Sequence, residues 1–219
     1  MELPLPEFVQ IEPVGRGSSP AFMSFESFCR LLEQLPEVAE LRLQGMGEPL
    51  LHPRFFGMVR LAASRGIQVS TSTRLTSLSD RRAEEFVTSG LRRMQVALDA
   101  SRHSRVLANV QRVVRAKSRL GSPSPAIELI AVVIRRNLEG LPRLVRLAHN
   151  YGVDGMCVQH LAFDFKDSGL PARYRPVRRF VEAESLLNED PARMERWFGE
   201  ARAVAAELGM TLELPGRIL

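Results

Sequence analysis

The stretch Gly45-Met46-Gly47-Glu48-Pro49 combines residue types that can hold a small ligand. Its two glycines let the backbone turn tightly and approach a bound group, while Pro49 lacks a donor and drives Glu48 into an extended conformation. A bare turn between a strand and a helix would use the same glycines. Ser72 offers a hydroxyl to a ribose or another polar ligand, or equally to a local turn bond. Asp99 is an acid at a strand end, where a site residue and a helix N-cap look alike. Asn137 also reads as a helix N-cap or a polar ligand contact. Gln159 and His160 close a later apolar run; without a carboxylate partner, His160 fits a structural role better than acid–base chemistry. His52, His103 and His149 have no metal spacing to one another. The Ser-His-Asp order, HExxH, the Walker A sequence and the Rossmann glycine fingerprint are all missing.

The neighbouring residues dictate which elements hold these groups. Leu41 and Leu43 alternate with polar neighbours, which predicts a strand over Glu40–Gly45 running straight into the glycine turn. Phe55, Met58, Val59 and Ala62 share one helical face between Arg54 and Ser64. Strand, turn and helix make one β/α unit, whose ligand site lies at the carboxyl end of the strand. Further strands are predicted over 7–14, 68–73, 93–99, 126–134 and 155–161, the fifth almost continuously apolar. Helices are predicted over 24–35, 80–89, 104–120, 137–151, 174–187 and 191–208, with a short last strand at 211–214. Six units in strict alternation imply parallel pairing with right-handed crossovers. The fold class is α/β, an open parallel (β/α)6 partial TIM barrel, with a doubly wound sheet as the alternative. The barrel takes residues 1–161 and a helical extension packed on it takes 162–219. In the last helix, Met194, Trp197, Phe198, Ala201, Val204 and Ala205 form a broad face that reads first as core packing and second as a protein-partner interface.

At 219 residues, 45% apolar and 25% charged, the chain can bury a substantial core. The net charge of +5 is carried almost wholly by arginine. Pairs such as Arg81-Arg82 and Arg92-Arg93 are scattered, which favours a solvated surface over a nucleic-acid footprint. No apolar run is long enough to span a membrane, and the N-terminus lacks signal-peptide character. The two cysteines, Cys29 and Cys157, sit in apolar patterns, as small hydrophobes do in a reducing, cytoplasmic compartment.

The run from Gly45 to Pro53, GMGEPLLHP, closely resembles the turn after the second strand of the radical S-adenosylmethionine (SAM) superfamily, in the branch that often carries a second, SPASM-type cluster domain. The resemblance extends from about Phe8 to about Leu161. It implies that Gly45, Met46, Gly47, Glu48 and Pro49 present backbone groups to the amino group of SAM. Ser72 stands where relatives have the asparagine of Thr-Asn-Gly. Asp99 closes the counterpart of Ser-Leu-Asp, with Ala97 replacing the serine. Asn137 matches a polar position that assists SAM binding, and Gln159 lies where relatives contact adenine.

The same resemblance exposes a departure. The family carries CxxxCxxC after its first strand, three thiolates that hold an iron–sulfur cluster and leave one iron open for SAM. Here the loop from Gly15 to Met23 has no cysteine, and Cys29 and Cys157 are too few and too far apart to replace it. No cysteine follows residue 161 to build a second cluster. Gly17-Ser18-Ser19 stands in the loop as a linker would, and a second shortening falls where Asp99-Ala100 meets Ser101. The expected function is a radical SAM-like barrel without radical chemistry, a pseudoenzyme or pared-down scaffold. It has no assigned catalytic or metal-binding residues, and SAM binding is millimolar at best, roughly −4 kcal/mol. The alternatives are a non-radical small-molecule or nucleotide-binding barrel enzyme, and a family enzyme whose cluster loop has been removed. The expected partners are a small molecule at the barrel mouth and a protein at the C-terminal helices, with neither nucleic acid nor membrane.

Overall fold

The computed structural model describes residues 6–15, 21–98, 103–161 and 174–216. Its strands are β1 (Phe8–Ile11), β2 (Glu40–Leu43), β3 (Gln68–Thr73), β4 (Leu91–Ala97), β5 (Ala126–Val133), β6 (Gly155–His160) and β7 (Thr211–Glu213). The helices are α1 (Phe25–Glu33), α2 (Phe55–Ser64), α3 (Asp80–Thr88), α4 (His103–Leu120), α5 (Leu141–Asn150), α6 (Arg175–Glu184) and α7 (Pro191–Glu207). The strands lie in one sheet in chain order. β1–β2, β2–β3, β3–β4 and β6–β7 all pair in parallel. A doubly wound sheet would reverse its order at a switch point; this one does not. The chain divides into two compact units, 1–128 and 129–219, with the division inside β5.

In the first unit the period-two pattern sorts the strand residues. Leu41, Leu43, Val69, Met94 and Val96 are buried on one face, and Phe28, Phe55, Phe86, Val106 and Val110 of the helices are buried with them. The opposite face is polar. The registers set Gln10, Arg42, Ser70 and Arg93 side by side, with Ser72 beside Gln95 one step further on. Gln95 Nε2 donates to the buried Glu128 carboxylate at 2.6 Å.

Local chemistry sets the helix limits. The Ser24 and Ser79 hydroxyls cap α1 and α3 by accepting from Ser27 N and Arg82 N. Gly90 takes φ +85°, a left-handed conformation in which it follows α3. Several boundaries differ from the sequence expectation, β1 ending at Ile11 rather than Val14 and α6 at Glu184 rather than Leu187, and two of them have a plain local cause. β4 begins at Leu91 rather than Arg93, because Leu91 is buried directly after that glycine. The fifth helix begins at Leu141 rather than Asn137. Residues Leu138–Gly140 form a 3-10 turn, and Pro142 fits only the first helical turn.

The second unit packs α7 against α5. Phe198, Ala201, Val204 and Ala205 of the expected α7 face are buried, while Met194 and Trp197 are half-exposed. Glu189, just before α7, sits between two guanidiniums: Arg135 Nε at 3.0 Å and Arg193 Nη1 at 2.6 Å, the latter chain also reaching Glu139. Among the described residues no helix is long and apolar enough to cross a membrane.

Candidate functional site

β2 ends at Leu43, and the chain turns through Gly45–Glu48 into a 3-10 turn at Pro49–Leu51. A cavity of about 450 Å³ opens there, within the range of small-ligand sites. Its lining includes Gln44, the five motif residues, Ser72, Thr73 and Ala97. The structure thus brings the glycine turn and Ser72 together. It adds Val14, Gly15, Arg74 and Ala97, which the sequence reading did not assign to the site.

Residues just past β1 constrain both glycines, unequally. A Cβ at Gly47 would collide with the Val14 backbone, which cannot yield, whereas one at Gly45 would meet only the flexible, exposed Glu12 side chain. The cause is register. Parallel pairing of Ile11 with Leu43 carries the residues after β1 alongside the residues after β2. Glu12 Oε1 then accepts from Met46 N at 2.5 Å and from Gly47 N at 3.2 Å.

The Glu48 carboxylate faces the other way, into the protein, with 13% of its side chain exposed. Its Oε1 accepts from Thr73 Oγ1 at 2.5 Å and from Leu50 N at 3.3 Å, and its Oε2 from Arg74 N at 2.9 Å. Thr73 Oγ1 in turn accepts from Leu75 N. Leu75, at φ +45°, is a buried non-glycine residue in the left-handed region, and its carbonyl accepts from Asn109 Nδ2. Glu48 therefore ties the turn after β2 to the end of β3.

His52 acts in the same manner. Its Nδ1 accepts from Arg54 N at 3.0 Å, so the proton lies on Nε2, which donates to Met23 O at 2.9 Å. Its ring also meets Phe22 edge-on. Residues 13–15 and 21–23 are stitched together by Gly15 N to Ala21 O at 2.8 Å and Met23 N to Pro13 O at 3.0 Å. Residues 16–20, the middle of the cysteine-free loop, lie outside the described residues.

What remains open to a ligand is limited. Gln44 Nε2 donates to Gln10 Oε1, whereas Gln44 Oε1 is buried at the cavity wall without a partner. The Ser72 hydroxyl has no hydrogen bond among the described residues. The cavity thus offers the Gln44 acceptor, the Ser72 hydroxyl and the largely exposed Arg74 guanidinium, while the amides of the turn are already taken by Glu12.

The other expected site residues belong to the second unit or fall outside the described residues. Asn137, in the second unit, uses its amide locally: Oδ1 accepts from Ile134 N and Nδ2 donates to Val132 O. Gln159 is exposed near the end of β6. His160 follows it, with Nδ1 buried and unpartnered. Asp99 lies outside the described residues. Cys29 is on α1 and Cys157 on β6, and among the described residues no three His, Cys, Asp or Glu side chains gather to hold a metal.

No family model matches the chain. It is 31% identical over 154 residues to the tungsten-containing aldehyde ferredoxin oxidoreductase cofactor-modifying protein of Pyrococcus furiosus, a match covering 64% of this chain and 43% of that protein. The Streptococcus suis protein SuiB, bound to SAM, superposes with TM-score 0.69 at 13% identity, over 97% of this chain and 51% of that one. The protein anSMEcpe, with bound SAM and a Cp18Cys peptide, superposes with TM-score 0.69 at 14% identity, over 94% and 62%. These structural neighbours are radical SAM enzymes, and the chain has their partial TIM barrel fold. It spans about half the length of the relatives it matches.

Proposed function

We propose that a chain with the fold of the radical SAM enzymes works here without their cluster: a SAM-type binding barrel that performs no radical chemistry. The closed loop carries this reading. Where the family resemblance calls for three cysteines after the first strand, residues 13–15 and 21–23 pair backbone to backbone across a cysteine-free segment. Two thiolates in the whole sequence, on α1 and β6, do not make the three-thiolate set that a site-differentiated cluster needs. The cluster does not fit these residues.

SAM itself fits in part. Its ammonium matches the orphaned Gln44 Oε1, and its hydroxyls suit Ser72. Its carboxylate finds the Met46 and Gly47 amides already occupied by Glu12. A few neutral hydrogen bonds of about 1 kcal/mol each leave the affinity near millimolar. The domain division we propose is a barrel over residues 1–161 and an extension over 162–219, whose α7 lies on α5 and whose β7 adds to the sheet beside β6. Asp99, Asn137 and Gln159 remain secondary candidates for the ligand, and we place the protein in the cytoplasm. Calorimetric titration with SAM, beside anaerobic reconstitution with iron and sulfide, tests the proposal. Millimolar binding and no bound cluster are expected; a stoichiometric cluster or a micromolar constant overturns it.

A further inference from the structure

A second cavity, of about 400 Å³, lies in the first unit and shares only Leu51 with the lining of the glycine-turn cavity. Three arginines line it: Arg54 just before α2, Arg60 on α2 and Arg82 on α3. Glu85 is the one acid in the lining, which leaves two positive charges in excess. None of the three arginines pairs with a carboxylate among the described residues.

Two of the three are held in place by rings. The Arg54 guanidinium lies 4.0 Å from the centroid of Phe25, and that of Arg82 lies 5.4 Å from the centroid of Phe56. Such contacts engage the face of a guanidinium and leave its edge N–H groups for an acceptor. They also reduce the entropy lost when a ligand docks. His52, in the same wall, has both ring nitrogens engaged, so it offers neither a base nor a metal ligand. The chemistry on offer is three planar donors, two of them stacked on rings and Arg60 free to swing in, with excess positive charge, which matches phosphate oxygens. The cavity is larger than one phosphate needs and suits a phosphate ester or diphosphate.

We propose that the Arg54–Arg60–Arg82 cavity binds the phosphate or diphosphate group of a small molecule. This site is separate from the glycine-turn cavity and stands whether or not SAM binds there. Arginines serving only as a solvated surface would respond to ionic strength alone.

The test is pyrophosphate titrated into the full chain, against sodium chloride at matched ionic strength, followed by thermal melting and amide chemical shifts. The expected result is a rise in Tm of about 3 °C at ten times Kd, with shift changes at Arg54, Phe56, Gly57, Arg60 and Arg82. The double variant Arg60→Gln/Arg82→Gln loses binding at least tenfold, while Arg146→Gln on α5 keeps it. Glu85→Gln removes the opposing charge and tightens binding about threefold, which tests the site even if the double variant does not fold. A rise that chloride reproduces overturns the proposal. So do unchanged binding in the double variant or in Glu85→Gln, and shifts centred on other residues.

Discussion

After β2, in the first unit, two carboxylates accept hydrogen bonds from backbone amides: Glu12 from Met46 and Gly47, Glu48 from Leu50 and Arg74. After β5, in the second unit, the carboxylate of Glu189 lies between two guanidiniums, with Arg135 at 3.0 Å and Arg193 at 2.6 Å. Both devices hold a strand-end loop in place. The first satisfies backbone donors that no secondary structure reaches and leaves a cavity with one orphaned acceptor, Gln44 Oε1, beside it. The second cancels charge and closes the corner with side chains. An ion-paired corner answers to pH and salt, whereas an amide-bonded one answers to shape, and the two can be broken separately.

The largest expected effect is steric and belongs to the first region. Gly47→Val drives a side chain into the Val14 backbone, which has no flexible end to yield. A loss of about 3 kcal/mol is expected in urea denaturation. Gly57→Ala is the control, because a Cβ there meets only the Phe25 ring at 3.6 Å, an ordinary contact. Equal stability of the two variants would mean that β1 and the glycine turn are not locked together. Any change in ligand affinity in Gly47→Val has to be read against this structural loss.

Glu48→Ala comes next. It strands Thr73 Oγ1 and the Leu50 and Arg74 amides in a half-buried corner, at about 2 kcal/mol. Glu48→Gln keeps one acceptor and loses about half of that. If both variants melt with the wild type, water replaces the carboxylate without penalty and the corner is looser than its distances indicate.

Glu189→Gln addresses the second region, with an expected loss of about 1.5 kcal/mol at neutral pH. Burial pushes the Glu189 carboxyl up, but the Asp190 amide with Arg135 and Arg193 outweighs it and holds it below its ordinary value of 4.5. A depressed folded-state value means the stabilisation is present above the unfolded pKa and is lost as pH falls through the folded one. Wild-type stability should therefore drop on acidification below about pH 4.5 more steeply than that of Glu189→Gln. Parallel pH curves for the two would remove the ionic account of this corner.

Much of the framework was legible because it rests on local signals. QVSTST gave β3 to the residue, since its alternation coincides with its burial. Ser79 marked the start of α3 through its own capping bond. The glycine turn was found, but the reason for its glycines was not: Glu12 and Val14 lie more than thirty residues away and arrive only through the β1–β2 register. Glu48 reads in the sequence as a backbone contact of the turn, and nothing local shows that Thr73 and Arg74 claim its side-chain oxygens. The arginine cavity was invisible for the same reason. Arg60 and Arg82 belong to different helices, and a linear sequence spreads them into what reads as a scattered surface charge.

The smallest effect discriminates most finely within the first region. Glu12 is exposed, so Glu12→Ala lets water reach the Met46 and Gly47 amides, and the expected loss is only about 0.5 kcal/mol. Global stability is the wrong measurement for so small a change; amide hydrogen exchange is the right one. Protection should fall at Met46 and Gly47 and persist at Leu50 and Arg74, whose acceptor is Glu48. Loss of protection at all four amides would mean that the two carboxylates work as one cooperative corner. Unchanged protection at Met46 and Gly47 would mean that the turn is held by the Val14 contact alone, with the Glu12 carboxylate a bystander in solution.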